Sequence, residues 1–283
     1  MLDGFGPKPA ADPASYDSAM PSPDAAVTPP PAGHALLKLR PPGAVADEWV
    51  AVEMPVALTV NDVSQAVMLA TPADLEDFAL GFALSEGWIT SRRELLDMDV
   101  LDRPDGMELA LRVTAAREQH LKARRRLLAG RTGCGLCGLE SLAQMGAVRP
   151  APVQAPVLAE GALDRALAGL HAAQALNARC GGLHGAAWCL PSGELLLARE
   201  DIGRHNALDK LAGALAHRDA NPRDGFVLMS SRASYELVHK TAMAGAGLLA
   251  CMSAPSSLAV ETARQLGLQL WAFVREGRAT RYA

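Results

Sequence analysis

Two cysteines three residues apart, Cys134 and Cys137, stand in the run Arg131-Thr-Gly-Cys-Gly-Leu-Cys-Gly138 and are the side chains here best suited to nucleophilic chemistry. The glycines let such a loop bend and present its sulfur. A thiolate is the attacking form of cysteine, and nearby arginines or a following helix N-terminus lower the thiol pKa so that more of it exists at neutral pH. A persulfide built on the same sulfur would be favoured as an anion by the same cations. Just upstream, Arg117, Lys122, Arg124, Arg125, Arg126 and Arg131 form a cationic run that either draws an anionic ligand or partner or faces solvent along a helix.

Other chemistries use two cysteines at this spacing: half of a zinc site, a thioredoxin-like redox pair, or thiols that are simply buried. A structural zinc site takes about four ligands, and the chain has no second C-x-x-C or H-x-x-x-H pair to complete one. A redox pair would be expected just after an early strand of a small domain, whereas this one follows a basic segment at mid-chain. Zinc deaminase chemistry needs H-x-E followed by P-C-x-x-C. Here His184 is followed by Gly185-Ala186, Gly133 stands where the proline belongs, and Cys134 precedes the histidine.

Three further loops carry polar chemistry. Arg199-Glu-Asp-Ile-Gly-Arg-His-Asn206 lies between a strand and a helix, where α/β folds place ligand loops, although Asp201 or Asn206 could equally cap the helix. Ser230-Ser-Arg-Ala-Ser234 is a similar junction whose amides and hydroxyls suit a phosphate or, again, a cap. Phe273-Val274-Arg275-Glu276-Gly277-Arg278 sets two arginines about a glycine, an arrangement that could grip a pyrophosphate or form a surface turn.

The elements that must position these loops follow from periodicity. Strand-prone residues run from Trp49 through Val60, then Asn61-Asp62, then Ser64 to Ala70, which predicts a hairpin. Thr71 as N-cap, Pro72 at the first helical position, and Leu75, Phe78, Ala79 and Phe82 at helical spacing predict a helix stopped near Gly87. Met107, Leu109, Leu111 and Val113 alternate with polar or small residues as in a half-buried strand, and a basic helix spans 115–129. Beyond it the reading is a helix over 159–178, strands over 186–190 and 194–198, and a helix over 206–216. Strands over 226–230, 248–253 and 268–274 then enclose helices over 235–244 and 257–266, so that a sheet with helices on both faces is expected.

Composition narrows the class. Hydrophobic residues make 49% of the chain and charged residues 20%, with net charge -4, so nothing resembles a nucleic-acid binder's basic footprint. No run approaches the roughly 18 apolar residues of a membrane span, and no apolar segment near the start reads as a signal peptide. With five cysteines, an odd number, a disulfide framework is disfavoured and a reducing, cytoplasmic setting expected. Residues 1–33 hold eight of the nineteen prolines and read as a Pro/Ala-rich tail unable to form a core.

Together, Asp74-Leu-Glu-Asp-Phe-Ala-Leu-Gly-Phe82, the cysteine run, Arg199-Glu-Asp-Ile-Gly-Arg-His-Asn-Ala-Leu-Asp-Lys210 and Ser230-Ser-Arg-Ala-Ser-Tyr-Glu236 resemble the FdhD family, with the likeness extending from about Val50 to the C-terminus. The resemblance implies a formate dehydrogenase accessory sulfurtransferase. Such a protein takes sulfur from a cysteine desulfurase and passes it to bis-molybdopterin guanine dinucleotide, carrying Mo or W, before that cofactor enters the formate dehydrogenase catalytic subunit. The alternative is a non-catalytic chaperone for the same cofactor. It further implies a homodimer and a cytidine-deaminase-like three-layer α/β sandwich over 131–283 with a smaller α+β subdomain over 34–130. The dinucleotide would be substrate, with no resident metal. By position Cys134 is then the persulfide-forming cysteine, Cys137 its helper, and Phe273 to Arg278 the segment for the cofactor's nucleotide. Cys180-Gly-Gly-Leu-His184-Gly departs from the family pattern at its cysteine and a glycine, which leaves His184 without an assigned role.

Overall fold

The computed structural model describes residues 34–42, 44–128 and 150–283. In the N-terminal half, the two-residue side-chain period of a strand sorts the apolar residues to one face. Strand β3 (Met54–Val60) buries Val56, Leu58 and Val60, and β6 (Gly106–Val113) buries Met107, Leu109, Leu111 and Val113. β4 (Val63–Ala70) returns antiparallel to β3 through Asn61 and Asp62, whose φ angles of 46° and 62° suit a tight hairpin turn. With β5 (Leu95–Arg103) they make a sheet ordered β4-β3-β6-β5, in which β3 and β6 run parallel. The expected hairpin is therefore present, but its first arm is broken. Residues 48–51 pair instead with 36–39, as strands β2 (Glu48–Ala51) and β1 (Leu36–Leu39).

Helix α1 (Leu75–Ser85) covers the inner face of this sheet with Phe78, Phe82 and Leu80. It starts later than its sequence suggests. Asp74 occupies the N-cap at φ 52° and makes no side-chain cap, while Thr71, the expected cap, is fully buried. The Thr71 N–H donates to Asp201 Oδ2 at 3.0 Å and its hydroxyl accepts the Ile202 N–H at 3.1 Å. A tertiary contact has claimed the group that local sequence offers to the helix. Helix α2 (Ala115–Leu128) follows β6.

The C-terminal half holds one sheet of β7 (His184–Cys189), β8 (Leu195–Asp201), β9 (Phe226–Met229), β10 (Leu248–Cys251), β11 (Gln269–Arg275) and β12 (Arg278–Arg281), ordered β12-β11-β10-β9-β7-β8. β9, β10 and β11 are parallel, whereas β7, β8 and β12 join antiparallel to their neighbours. Covered on both faces, β9 (Phe-Val-Leu-Met) and β10 (Leu-Leu-Ala-Cys) are continuous apolar runs with every residue buried. Helix α3 (Ala162–Ala173) packs one face through Ala166, Leu167 and Leu170. On the other lie α5 (Arg204–His217), α6 (Tyr235–Met243) and α7 (Ser257–Leu266). Helices on both faces were expected; the single helix over 159–178 is not found, because α3 ends at Ala173 and Asn177–Cys180 forms a separate turn, α4.

The two sheets meet where α1 crosses α5, within one unit spanning Ala32–Ala283. Gly81 and Gly213 make the crossing close: a Cβ on Gly81 would fall 1.7 Å from the Asp209 carbonyl oxygen, and one on Gly213 would fall 1.9 Å from that of Asp77. A side chain at either position must push the helices apart.

Candidate functional site

Residues 199–210 form the end of β8 and the start of α5, and their side chains divide between two tasks. Those turned inward are fully engaged. Arg199 binds Asp77 on α1 at 2.6 Å. The Glu200 carboxylate accepts the N–H groups of Leu176 and Asn177 at 2.9 and 2.8 Å, which caps α4. Asp201 and Lys210 form an ion pair at 2.6 Å with neither side chain exposed. Asp201 Oδ1 also accepts from Gly203 N–H and from the Asn206 amide, so all of its capacity is used. Neither of the expected caps for α5 operates: Gly203 is the N-cap without a side-chain bond, and Asn206 sits inside the helix donating to the Leu69 carbonyl at 2.8 Å.

A second buried group lies deeper along α5. Lys240 on α6 binds Asp209 at 2.8 Å and Glu86 at 3.0 Å, and Ser85 donates to Asp209 at 2.7 Å. Burial opposes the Lys240 ammonium, but the Asp209 and Glu86 carboxylates outweigh it and hold its pKa above the ordinary lysine value. Lys210 goes the other way, lowered by burial against the pull of Asp201. Nothing local in the sequence marks these pairs: Asp209 and Lys240 lie in separate motifs with Ser85 and Glu86 more than a hundred residues away, and Asp201 and Lys210, although nine residues apart in one motif, read equally well as ligand-facing charges.

The outward-facing members of the same motif meet the loops that follow β9 and β10. Because β7 runs antiparallel to β9, its first residue, His184, lies at the carboxyl edge of the parallel strands, opposite Asp201 of β8. Gly185 N–H donates to Ser230 Oγ at 2.8 Å and Ser230 N–H to the Gly185 carbonyl at 2.9 Å. Ser253 N–H donates to the Ser231 carbonyl, and Phe273 N–H to that of Ser253. Four loops thus form one continuous rim. His184 is half-buried there, and its pKa is lowered first by burial and then by the positive charges of Arg204, His205 and Arg232. Among the described residues no carboxylate pairs with Arg204 or Arg232, and Arg204 Nε is buried without a hydrogen-bond partner. His205 faces Ser234 at 3.4 Å and Glu236 at 3.6 Å, which together keep the Glu236 carboxyl down at about 2, the His205 hydrogen bond being the larger cause. Ser234 and Ser256 do act as caps, of α6 and α7.

The segment Phe273 to Arg278 reaches this rim at one end only. A bulge between Ala272 and Arg275 leaves Phe273 at φ 53°, 37% exposed, in a conformation costly for an aromatic residue. Val274 is buried in the core. The Arg275 guanidinium donates to the carbonyls of Met252 and Val274, so it braces the rim. Glu276 and Gly277 form the turn into β12, with Gly277 N–H on Asp164 Oδ1 at 3.0 Å. Arg278 turns away, lining a separate cavity of about 490 Å³ with Trp271, Arg281 and residues 156–164. The structure does not bring both arginines of the segment to one place.

Cys134, Cys137 and Arg131, and the side chains of Arg124, Arg125 and Arg126, lie outside the described residues. Of the upstream cations that are described, Arg117 donates to the Gly87 and Trp88 carbonyls beyond the end of α1, and Lys122 pairs with Glu118. Both are occupied locally. Cys189 and Cys251 are wholly buried, and burial pushes the Cys189 thiol up to about 12 and raises that of Cys251 as well. Neither is a nucleophile at neutral pH. Among the described residues no three His, Cys, Asp or Glu side chains gather as metal ligands.

Apart from β1 and most of β2, this architecture lies within a known family pattern. The model of the FdhD/NarQ family matches residues 51–283. The chain belongs to the FdhD/NarQ family. Within it, the sulfur carrier protein FdhD of Variovorax paradoxus is 52% identical over 228 residues, covering 81% of this chain and 82% of its own. That of Cupriavidus necator is 51% identical over 235 residues, covering 83% and 81%. Among solved structures, a candidate formate dehydrogenase accessory protein from Desulfotalea psychrophila superposes with a TM-score of 0.65 at 24% identity, over 87% of this chain and 95% of that one. FdhD/NarQ membership accounts for the order of the four motifs, and no described helix is long and apolar enough to cross a membrane.

Proposed function

We propose that this protein is a cytoplasmic sulfurtransferase that carries sulfur to the bis-molybdopterin guanine dinucleotide cofactor of formate dehydrogenase. The observation that carries the reading is identity of about half over four-fifths of the chain to relatives named as sulfur carriers. The rim supports it, because an exposed aromatic ring and uncompensated cations suit a base and its phosphates. In this reading the fold is cytidine-deaminase-like, the protein works as a homodimer, and a cysteine desulfurase is the donor.

The Cys134 thiolate attacks the outer sulfur of the donor's persulfide, that S–S bond breaks, and the donor cysteine leaves as thiolate. Cys134 then carries a persulfide. Attack by Cys137 on Cys134 Sγ releases hydrosulfide for the cofactor and leaves a disulfide between the two cysteines, which a cellular thiol must reduce. Of the remaining cysteines, Cys189 and Cys251 are too deeply buried to compete.

Incubation with a cysteine desulfurase and cysteine, followed by peptide mass spectrometry, tests the first step. One added sulfur atom on the Cys134 peptide is expected, and none on Cys189 or Cys251. A Cys134→Ala variant that still matures active formate dehydrogenase would leave a cofactor chaperone as the better reading.

A further inference from the structure

Where α1, α5 and α6 end, two cavities of about 690 and 650 Å³ lie side by side and share Leu84, Thr90 and Met243. Together they form a groove with an apolar floor, to which Leu84, Ile89, Leu215, Ala216, Pro152 and Met243 contribute. Its margins are cationic. Arg92 and Arg93, in the short turn after α1, border one cavity, and Arg223, in the loop before β9, borders the other. All three arginines are exposed, and among the described residues no acid pairs with any of them. Glu94 is already committed to Thr90 and Arg117, which leaves Asp219 as the one carboxylate in the lining among the described residues. The groove is therefore positive in a chain whose net charge is -4.

The segment between Leu128 and Pro150, which carries Cys134 and Cys137, is flanked on both sides by residues of this groove. Ahead of it, α2 contributes Arg117 and His120 to the lining, and Arg117 fastens that helix to the end of α1 through the Gly87 and Trp88 carbonyls. Behind it, Pro150 to Val153 line the same cavity, and Val153 N–H donates to the Leu266 carbonyl at 3.1 Å. Cys134 is only six residues past Leu128, the last of α2, so its Cα lies within about 20 Å of that point whatever path the chain takes. Attack on a donor's persulfide requires the two sulfurs to touch. The donor must therefore dock where this tether reaches.

We propose that the groove at the ends of α1, α5 and α6 is the docking site of the persulfide donor, and that it takes an acidic segment of that protein carrying one or two large apolar side chains. The inference rests on the sulfurtransferase reading above. Apolar side chains fill the cavities over Leu84 and Met243. Carboxylates meet Arg92, Arg93 and Arg223, which steers the encounter and fixes the orientation of the donor's cysteine toward Cys134.

Sulfuration of Cys134 in the full chain, read by peptide mass spectrometry, tests the assignment with two sulfur sources: a cysteine desulfurase supplied with cysteine, which must dock, and glutathione persulfide, which need not. Arg92→Glu combined with Arg93→Glu, and separately Arg223→Glu, should each raise the half-saturating desulfurase concentration about tenfold and flatten its salt dependence, with the limiting rate unchanged. Sulfuration by glutathione persulfide should match wild type. The three arginines are exposed, so their variants fold, and the exposed Arg112→Glu on β6 controls for net charge. Desulfurase kinetics unchanged in both groove variants would overturn the docking site and leave the sulfur-carrier reading standing. An equal loss with both sulfur sources would also overturn it, because the cations would then act on the thiol itself. Groove variants that dissociate a wild-type dimer in sedimentation would give the groove to a second copy of this chain instead. A wild-type chain that gains no sulfur from either source removes the sulfur-carrier reading, and the docking site with it.

Discussion

The buried seam between the two sheets and the open rim of the larger one are built from the same motif, Arg199 to Lys210, yet they treat charge in opposite ways. In the seam every ion has its partner: Asp201 with Lys210 at 2.6 Å, Asp209 with Lys240 at 2.8 Å. At the rim Arg204 and Arg232 have none among the described residues. The difference follows from solvation. An ion taken wholly out of water must be paired or it shifts the equilibrium toward unfolding, whereas at the rim Arg232 is exposed and Arg204, although its Nε is buried without a partner, is only partly buried as a whole, so both guanidiniums keep contact with water. Completeness of pairing therefore separates structural charges from ligand-facing ones, which residue type alone cannot do.

The comparison would break first at the seam. Lys240→Met removes the cation that compensates Asp209, leaving a buried carboxylate with only Ser85 to donate to it. The expected loss is about 3–5 kcal/mol in urea unfolding at neutral pH. Because Lys240 has a raised pKa, its contribution is complete at every pH below the ordinary lysine range and disappears only as pH rises through its folded value. A variant as stable as wild type would mean that the seam is no more demanding than the rim.

Next comes the steric half of the seam. Gly213→Ala places a methyl 1.9 Å from the Asp77 carbonyl oxygen, so α1 and α5 must separate and both ion pairs must stretch. A cost of about 1–3 kcal/mol is expected from overpacking, read as a lowered unfolding midpoint. If the substitution were neutral, the two helices would not be locked at this crossing.

How much of this the sequence discloses depends on the range of the interaction. The alternation in Met107 to Val113, the turn at Asn61-Asp62 and the apolar runs of β9 and β10 are local, and each is read correctly. The cap of α1 is misread because Thr71 is bound 130 residues away, by Asp201. The helix after 159 is overextended because Glu200 captures the amides of Leu176 and Asn177 and starts a new turn. Arg275 and Arg278 look like a pair in sequence, yet the bulge at Phe273 and the turn at Gly277 send them to different surroundings. The seam itself is invisible, since charged residues inside a motif read equally well as ligands. Motif order discloses the family, while the division of labour inside a motif appears only in three dimensions.

The smallest effect is expected where the rim does pair its charges. Glu236 is held at about 2 by His205 first and by Ser234, with burial opposing them, but its side chain is 53% exposed. Solvent screens such a pair, so Glu236→Gln should cost less than about 1 kcal/mol near pH 6. The sign is fixed by linkage: a carboxyl depressed on folding adds stability above its unfolded value near 4.5 and loses it as pH falls toward 2. Wild type and Glu236→Gln should therefore differ slightly at pH 6 and converge at about pH 2, as followed by thermal unfolding across that range. A Glu236→Gln loss as large as that of Lys240→Met would show that the rim, like the seam, depends on complete pairing, and the uncompensated charge of Arg204 and Arg232 would then need a structural partner instead of a ligand.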